Sequence, residues 1–105
     1  MNLSRLPHPL SDELVELISD RMGLLGHPTR IRILDQLREG EHNVQAIADA
    51  MATTQQNVSG HLRLLYAAGI VSRRSGGREV FYAIVDNTVF EHWEWLVAAL
   101  RKQVG

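Results

Sequence analysis

Cysteine is missing from this 105-residue chain, which excludes disulfides, thiolate metal ligands, thiol redox switches and a cysteine nucleophile. Long apolar runs are also missing, since none approaches the roughly 18–20 residues that cross a bilayer. Residues 1–10 lack the apolar stretch of a signal peptide. From these absences we expect a cytoplasmic protein without a membrane partner. The length of the chain suits one compact domain, so we expect residues 1–105 to form a single domain.

The net charge of the chain is also small, because eleven basic and twelve acidic residues sum to −1 at pH 7. The charges are unevenly placed, however. Between positions 52 and 82 the one acidic residue is Glu79, against four arginines: Arg63, Arg73, Arg74 and Arg78. Affinity for phosphates depends on local positive charge, since each neutralised phosphate releases counterions. This stretch is therefore the part of the chain suited to a nucleic acid.

The spacing of apolar residues predicts a mainly α chain with one small β-hairpin. Ser11, Asn43 and Thr54 are typical N-cap residues at three of the helix starts. Pro28 suits the first position of another helix. The predicted helices cover 12–25, 28–39, 44–51, 55–68 and 87–103, and the predicted strands cover 70–75 and 80–84 around a Gly76-Gly77 turn.

The third and fourth helices, joined by Ala52-Thr53, have the form of a helix-turn-helix, whose second helix enters the DNA major groove. On a helical wheel Val58, Leu62 and Leu65 share one side and should pack inward. The opposite side, here called the outward face, comprises Gln56, Ser59, Gly60 and Arg63. A merely solvated face usually carries Glu and Lys pairs, and this face has none. The candidate DNA-binding residues of this helix are Thr54, Gln55, Gln56, Asn57, Ser59, Gly60, His61 and Arg63.

Gly60 is unusual on this face, because glycine inside a helix costs roughly 1 kcal/mol relative to alanine. One explanation is that the missing side chain allows close approach to the DNA. The other is neutral drift at an exposed site. The sequence leaves both open.

The hairpin that follows is a candidate wing. Arg73 and Arg74 precede its turn and Arg78 follows it, so three guanidinium groups gather near one tip. Such a tip can lie along phosphates or place an arginine in a narrow minor groove. The alternative is a charged tip that only keeps an edge strand soluble.

Three stretches resemble the ArsR/SmtB family of bacterial winged-helix repressors. Residues 27–34 resemble the family's Asp-Pro-Thr-Arg-x-x-Ile-Leu, residues 54–62 its Ser-Gln-x-x-Val-Ser-x-His-Leu, and residues 77–82 its Gly-Arg-x-Val-x-Tyr. The resemblance implies a winged helix-turn-helix that dimerises through the first and last helices and binds a pseudo-palindromic operator in double-stranded DNA. The apolar stripe of the last helix, wider than one small domain needs, agrees with a homodimer. The expected dimer-interface residues are Leu14, Leu17, Ile18, Val89, Phe90, Trp93, Leu96, Val97 and Leu100.

The chain departs from the family at its metal sites. The family's Cys-x-Cys pair falls on Asn43 and Gln45, which supply no thiolate or imidazole. The four ligand positions of its other site read Asp86, Thr88, Ala99 and Lys102. A lone Asp86 is better explained as a cap for the last helix. We therefore expect no metal at either site and no cofactor.

Two other ways in which the protein could sense a signal remain as alternatives. His92, next to Glu91, is the one histidine placed where a partner subunit could complete an unconventional metal site. Trp93 and Trp95 could line a pocket for a small apolar effector, although Trp93 lies in the apolar stripe and is better explained as core.

The leading functional prediction is a dimeric, sequence-specific transcriptional regulator that acts as a repressor. One alternative is a DNA-binding subunit that works with a companion sensor protein. Another is a winged-helix protein-interaction module, which would need apolar anchors that the outward face lacks. An enzyme is not expected, because Ser59 and His61 lie about 200° apart around their helix and cannot form a nucleophile–base pair.

Overall fold

The computed structural model describes residues 5–104. It contains the five expected helices and the expected hairpin, together with a two-residue strand that the apolar pattern does not reveal. The elements are α1 (Asp12–Leu25), α2 (Pro28–Leu37), β1 (His42–Asn43), α3 (Val44–Ala50), α4 (Gln55–Ala67), β2 (Val71–Gly76), β3 (Glu79–Ile84) and α5 (Thr88–Val104).

The predicted helix caps are confirmed. The side chains of Ser11, Asn43 and Thr54 each accept a hydrogen bond from the backbone N–H three residues later, at 3.1, 2.7 and 3.1 Å. Each cap satisfies one of the N–H groups that a helix start leaves without a partner. At the start of α2 the cap is His27, whose Nδ1 accepts from the backbone N–H of Thr29 at 3.1 Å.

The three strands form an antiparallel sheet in the order β1-β3-β2. The hairpin turn lies one residue later than predicted, because Gly76 pairs with Glu79 and so belongs to β2. Gly77 and Arg78 therefore make the turn, and Gly77 has the positive φ, +68°, that primed hairpin turns require. As a result Arg78 sits at the tip itself rather than after it.

The core is one cluster to which α2, α3, α4, the sheet and the first turn of α5 contribute. Its members are Ile33, Leu34, Leu37, Ile47, Ala48, Val58, Leu62, Leu65, Ile70, Val71, Tyr82 and Val89. The helix α1, which is described in full, contributes no buried side chain. Within residues 5–104 no helix is both long and apolar enough to cross a membrane.

The helices α1 and α5 leave more apolar side chains uncovered than the other helices do. In α1 and α5 the exposed fractions of Leu17, Leu96 and Val97 are 56, 55 and 47%. Ile18 and Leu100 are also exposed, whereas Leu14, Phe90 and Trp93 are half-buried, and Phe90 contacts Trp93 edge to face at 5.2 Å. The expectation for Val89 is wrong. It is fully buried in the core of its own chain, so it cannot line a dimer interface.

Candidate nucleic-acid interface

The faces of α4 are divided as the helical wheel predicts. Val58, Leu62 and Leu65 are fully buried against the core. This packing fixes the rotation of the helix and leaves the polar residues on its outer side. Of the candidate contact residues there, Ser59 is half-buried, and Thr54, Gln55, Gln56, Asn57, Gly60 and Arg63 are exposed. No acidic residue occurs in α4. The outward face is therefore polar and free of negative charge.

The N-terminal end of α4 is held by short local contacts. Thr54 caps the helix, and the side-chain amide of Asn57 donates to the hydroxyl of Thr53 at 3.1 Å. This second bond orients the amide and leaves the Asn57 carbonyl oxygen available as an acceptor. The preceding turn is tight enough to place Ala52 at a φ of +53°, in the left-handed region. Backbone and side chains together set the angle at which α4 leaves α3.

His61 behaves differently from the other candidate contact residues, because its ring contacts the protein. The ring is half-buried and lies 4.7 Å from the ring of His27, centroid to centroid. Its Nδ1 is 3.2 Å from Nη1 of Arg30. Since a guanidinium can only donate, this nitrogen must accept and the proton of the neutral ring belongs on Nε2. The side chain of His61, which is also a predicted DNA contact, thus joins α4 to α2.

Arg30 extends this contact to a third helix. It also donates to the backbone carbonyls of Leu24, at 2.5 Å, and Gly23, at 3.3 Å, in the last turn of α1. Burial holds the pKa of His61 below its ordinary value, and His27 and Arg30 lower that pKa further. The neutral form of His61 is thus the form that suits these surroundings.

The three wing arginines do not share one environment. Arg73 and Arg78 are exposed, and within residues 5–104 no ion pair includes either of them or Arg63. The guanidinium of Arg74 is instead bound at two points to the carboxylate of Glu41, from Nε to Oε2 at 2.7 Å and from Nη2 to Oε1 at 2.6 Å. Two of the three expected wing cations therefore face solvent without an ionic partner in the described part of the chain.

Sequence reasoning missed Glu41, His27 and Arg30 as residues that shape this surface. The contact between Glu41 and Arg74 spans 33 positions and depends on a strand of two residues. No periodic signal reports such a pairing. For His27 a signal did exist, because it stands where the resembled family motif has Asp, at the start of α2.

Two residues at the family's metal positions, Asn43 and Asp86, have other roles here. Asn43 caps α3. Asp86 accepts the backbone N–H of Thr88 at 3.1 Å at the start of α5, as expected, and forms an ion pair with Arg21 at 3.2 Å. Hydrogen bonding from Thr88, together with Arg21, lowers the pKa of Asp86. In the described range, no three His, Asp or Glu side chains lie close enough together to hold a metal ion.

Comparison with known proteins agrees with this geometry. A family model described as a helix-turn-helix domain matches residues 25–74, which run from the end of α1 into β2. The transcriptional regulator NmtR of Mycobacterium tuberculosis is 33% identical over 81 residues, which cover 77% of this chain and 68% of NmtR. The chain belongs to the ArsR/SmtB family. The repressor SmtB of the same organism is 38% identical over 81 residues. The match covers 77% of this chain and only 60% of the length of SmtB.

Solved structures show the same architecture. A winged helix-turn-helix DNA-binding domain from Mycobacterium bovis, described as homodimeric and as a possible ArsR-family regulator, superposes with a TM-score of 0.75. Its sequence is 25% identical, and the match covers 94% of each chain. In this ArsR/SmtB fold α3 and α4 are the helix-turn-helix, and the β2–β3 hairpin is the wing.

Proposed function

We propose that this protein is a dimeric, sequence-specific DNA-binding regulator of transcription that acts as a repressor in the cytoplasm. The observation that carries the proposal is the surface of α4. Its apolar side is buried in the core, its outward face is polar, and the wing, which contacts α4 through β2, carries Arg73 and Arg78 in solvent. A polar helix face without acidic residues, next to exposed arginines, fits the groove and phosphates of DNA.

In the proposed complex α4 lies in the major groove. Gln56 and Ser59 face base edges, and Arg63 reaches a guanine or a phosphate. Thr54, Gln55 and Asn57 lie at the N-terminal end of α4, where backbone N–H groups favour a phosphate. Gly60 allows the helix to approach closely, and Arg73 and Arg78 hold the flanking phosphates.

The proposed dimer forms through α1 and α5. Leu17, Leu96 and Val97 expose apolar surface there, and no side chain of α1 is buried by another element within residues 5–104. A domain of this size hides only about 60–65% of its unfolded surface, so a shared core adds stability. Two copies would present two α4 helices to half-sites about 34–36 Å apart, which requires a pseudo-palindromic operator. The chain thus acts as one DNA-binding domain with terminal dimerisation helices.

The proposed regulator does not use the family's two metal sites, because five of their ligand positions hold residues that do not match: Asn43, Gln45, Thr88, Ala99 and Lys102. A companion sensor protein is one source of the missing signal, and co-purification from native cells tests it. A protein-interaction module is the weaker candidate, since the outward face offers no apolar anchor. An enzyme is weaker still, because the ring of His61 is turned to His27 and Arg30 and not to Ser59.

Selection of genomic DNA fragments by the purified protein, with and without nickel, zinc and cobalt, tests the proposal. We expect one family of pseudo-palindromic duplexes, and the same duplexes with each metal. Tight stoichiometric binding of a metal that alters the selection would contradict the metal-independent part of the proposal.

Substitution of the exposed arginines tests the assignment of the interface. Arg63→Ala and Arg78→Ala should each weaken binding to a selected duplex, by about 5-fold or more where the contact is bidentate to a base. Arg101→Ala, which removes the same charge from the last turn of α5, is the matched control. Unchanged affinity in both of the first two variants would refute the assignment.

A further inference from the structure

Arg74 reaches across the whole sheet. It lies on β2 directly opposite Phe81 of β3, and Phe81 lies opposite Asn43 of β1. Its guanidinium lies over the ring of Phe81, at 4.5 Å from the centroid, and ends on the carboxylate of Glu41 just before β1. One side chain therefore ties the free edge of the wing to the opposite edge of the sheet. We name the set Glu41, Arg74 and Phe81 the clamp.

The clamp uses the planar geometry of the guanidinium. Two parallel N–H groups meet the two carboxylate oxygens, and the flat face rests on the aromatic ring. Gly76 leaves room for this arrangement, since a Cβ there would lie 2.8 Å from the Phe81 ring and 3.1 Å from Nη1 of Arg74. The hydrogen bond between them lowers the pKa of Glu41 and raises that of Arg74, so both stay charged near neutral pH.

The Glu41 carboxylate occupies two of the five N–H groups of Arg74 and neutralises its charge, so a phosphate that approached the remaining N–H groups would be repelled by that carboxylate. From this geometry we propose that Arg74 and Glu41 are positioning residues that fix the wing for DNA, and that Arg74 is not a phosphate ligand. The inference rests on the proposed function. According to this inference Glu41 favours DNA binding, although its negative charge alone would oppose it.

The substitution Glu41→Gln distinguishes the two possible roles of Arg74, because each role predicts an opposite change in DNA affinity. If Arg74 were a phosphate ligand, the loss of its carboxylate would release a cation and tighten DNA binding. If the clamp positions the wing, the same substitution weakens binding about two- to fivefold, the range expected for an exposed ion pair. Glu39→Gln removes the same charge two residues away without touching the clamp. Binding of each variant to a duplex selected by the wild-type protein is followed by fluorescence anisotropy.

A second variant keeps the charge. Lysine cannot make the two-point contact or the flat stacking of Arg74, but it can still neutralise a phosphate. Arg74→Lys should therefore weaken binding as Glu41→Gln does, and in both variants the β2–β3 amides of the free protein should exchange faster with solvent.

The results of these binding measurements separate a failure of the proposed function from a failure of the proposed clamp. If the wild-type protein selects no duplex, the proposed function fails and the inference falls with it. If the wild type binds but Glu41→Gln binds as tightly or more tightly, or Arg74→Lys is unchanged, the clamp has no role in binding and the inference alone fails. Weaker binding by both variants, with Glu39→Gln at or above wild-type affinity, supports it.

Discussion

At the scale of single residues, His61 shows how one contact links α4, the proposed DNA-binding helix, to the rest of the chain. Its Nδ1 accepts from Arg30, which in turn holds the end of α1 through Leu24 and Gly23. In the resembled family motif an Asp stands where this chain has His27, so a carboxylate there is replaced by a second titratable ring. Protonation of His61 would destroy the acceptor and add a charge beside Arg30.

The free energy of unfolding should therefore depend on pH through this histidine. Because the pKa of His61 is lowered in the folded protein, the unfolded chain binds the proton more readily. Stability is then fully present above the ordinary value of 6.5 and is lost as the pH falls from 6.5 towards the folded-state pKa. Urea unfolding at a series of pH values between 5 and 7.5 measures the loss.

The matched variants for this measurement are His61→Gln and His92→Gln, the second on an exposed position of α5. We expect His61→Gln to flatten the pH dependence below 6.5 and His92→Gln to leave it in place. An unchanged pH profile in His61→Gln would show that other groups control acid stability.

At the scale of elements, Gly60 offers a direct comparison between the stability of α4 and its proposed contact with DNA. A Cβ at Gly60 would meet no protein atom within 4 Å. Gly60→Ala should thus stabilise the chain by about 0.5–1 kcal/mol through helix propensity alone. If the helix approaches DNA closely here, the same variant binds a selected duplex several-fold more weakly. Thermal unfolding and anisotropy on one preparation measure both.

Gly23 in α1 provides the control, because a Cβ there also meets nothing within 4 Å. Gly23→Ala should gain similar stability without weakening DNA binding. If Gly60→Ala is more stable and binds as tightly as the wild type, close approach is ruled out and Gly60 reflects drift.

The helices could be predicted from sequence because their signals are local. Caps at Ser11, Asn43 and Thr54 act over three residues, and the inward stripe of α4 repeats along one helix. The hairpin turn was misplaced by one residue, since either adjacent glycine satisfies the turn and only the pairing of Gly76 with Glu79 decides. Strand β1 was missed because two residues show no period and exist as a strand only through β3.

At the scale of the whole molecule, α5 has two different parts. Its first turn enters the core through Val89, which is fully buried, whereas Leu96 farther along is 55% exposed. A helical wheel places both on one apolar stripe and cannot separate them, because the division depends on where the helix leaves the core. The proposed dimer uses only the exposed part.

Two substitutions test this division. Leu96→Glu should lower the mass in solution from dimer to monomer, because the substitution places a charge on the proposed interface. Val89→Ala should lower the free energy of unfolding by about 1–3 kcal/mol through a cavity in the core, and leave the mass unchanged. Sedimentation equilibrium gives the mass. A monomeric wild type, or a dimeric Leu96→Glu, would contradict the proposed interface.

The charge available on the wing also depends on contacts across the whole molecule. The sequence locates the basic stretch correctly between positions 52 and 82, but it cannot report that Glu41, from outside that stretch, neutralises Arg74. The cations left for phosphates are therefore Arg63, Arg73 and Arg78, three in each chain and six in the proposed dimer. Their number fixes how strongly binding should depend on salt.

The salt dependence of binding to a selected duplex shows whether α4 and the wing bind DNA through their arginines. With four to six arginine–phosphate contacts in the dimer, depending on whether Arg63 meets a guanine or a phosphate, the slope of log K against log salt concentration should be about −4 to −5. Arg73→Gln should reduce its magnitude by about two in the dimer, because each chain loses one contact. Tighter binding to the selected duplex than to a scrambled one at every salt concentration completes the expected result. A slope near zero, or equal affinity for both duplexes, would mean that α4 and the wing do not bind DNA as proposed.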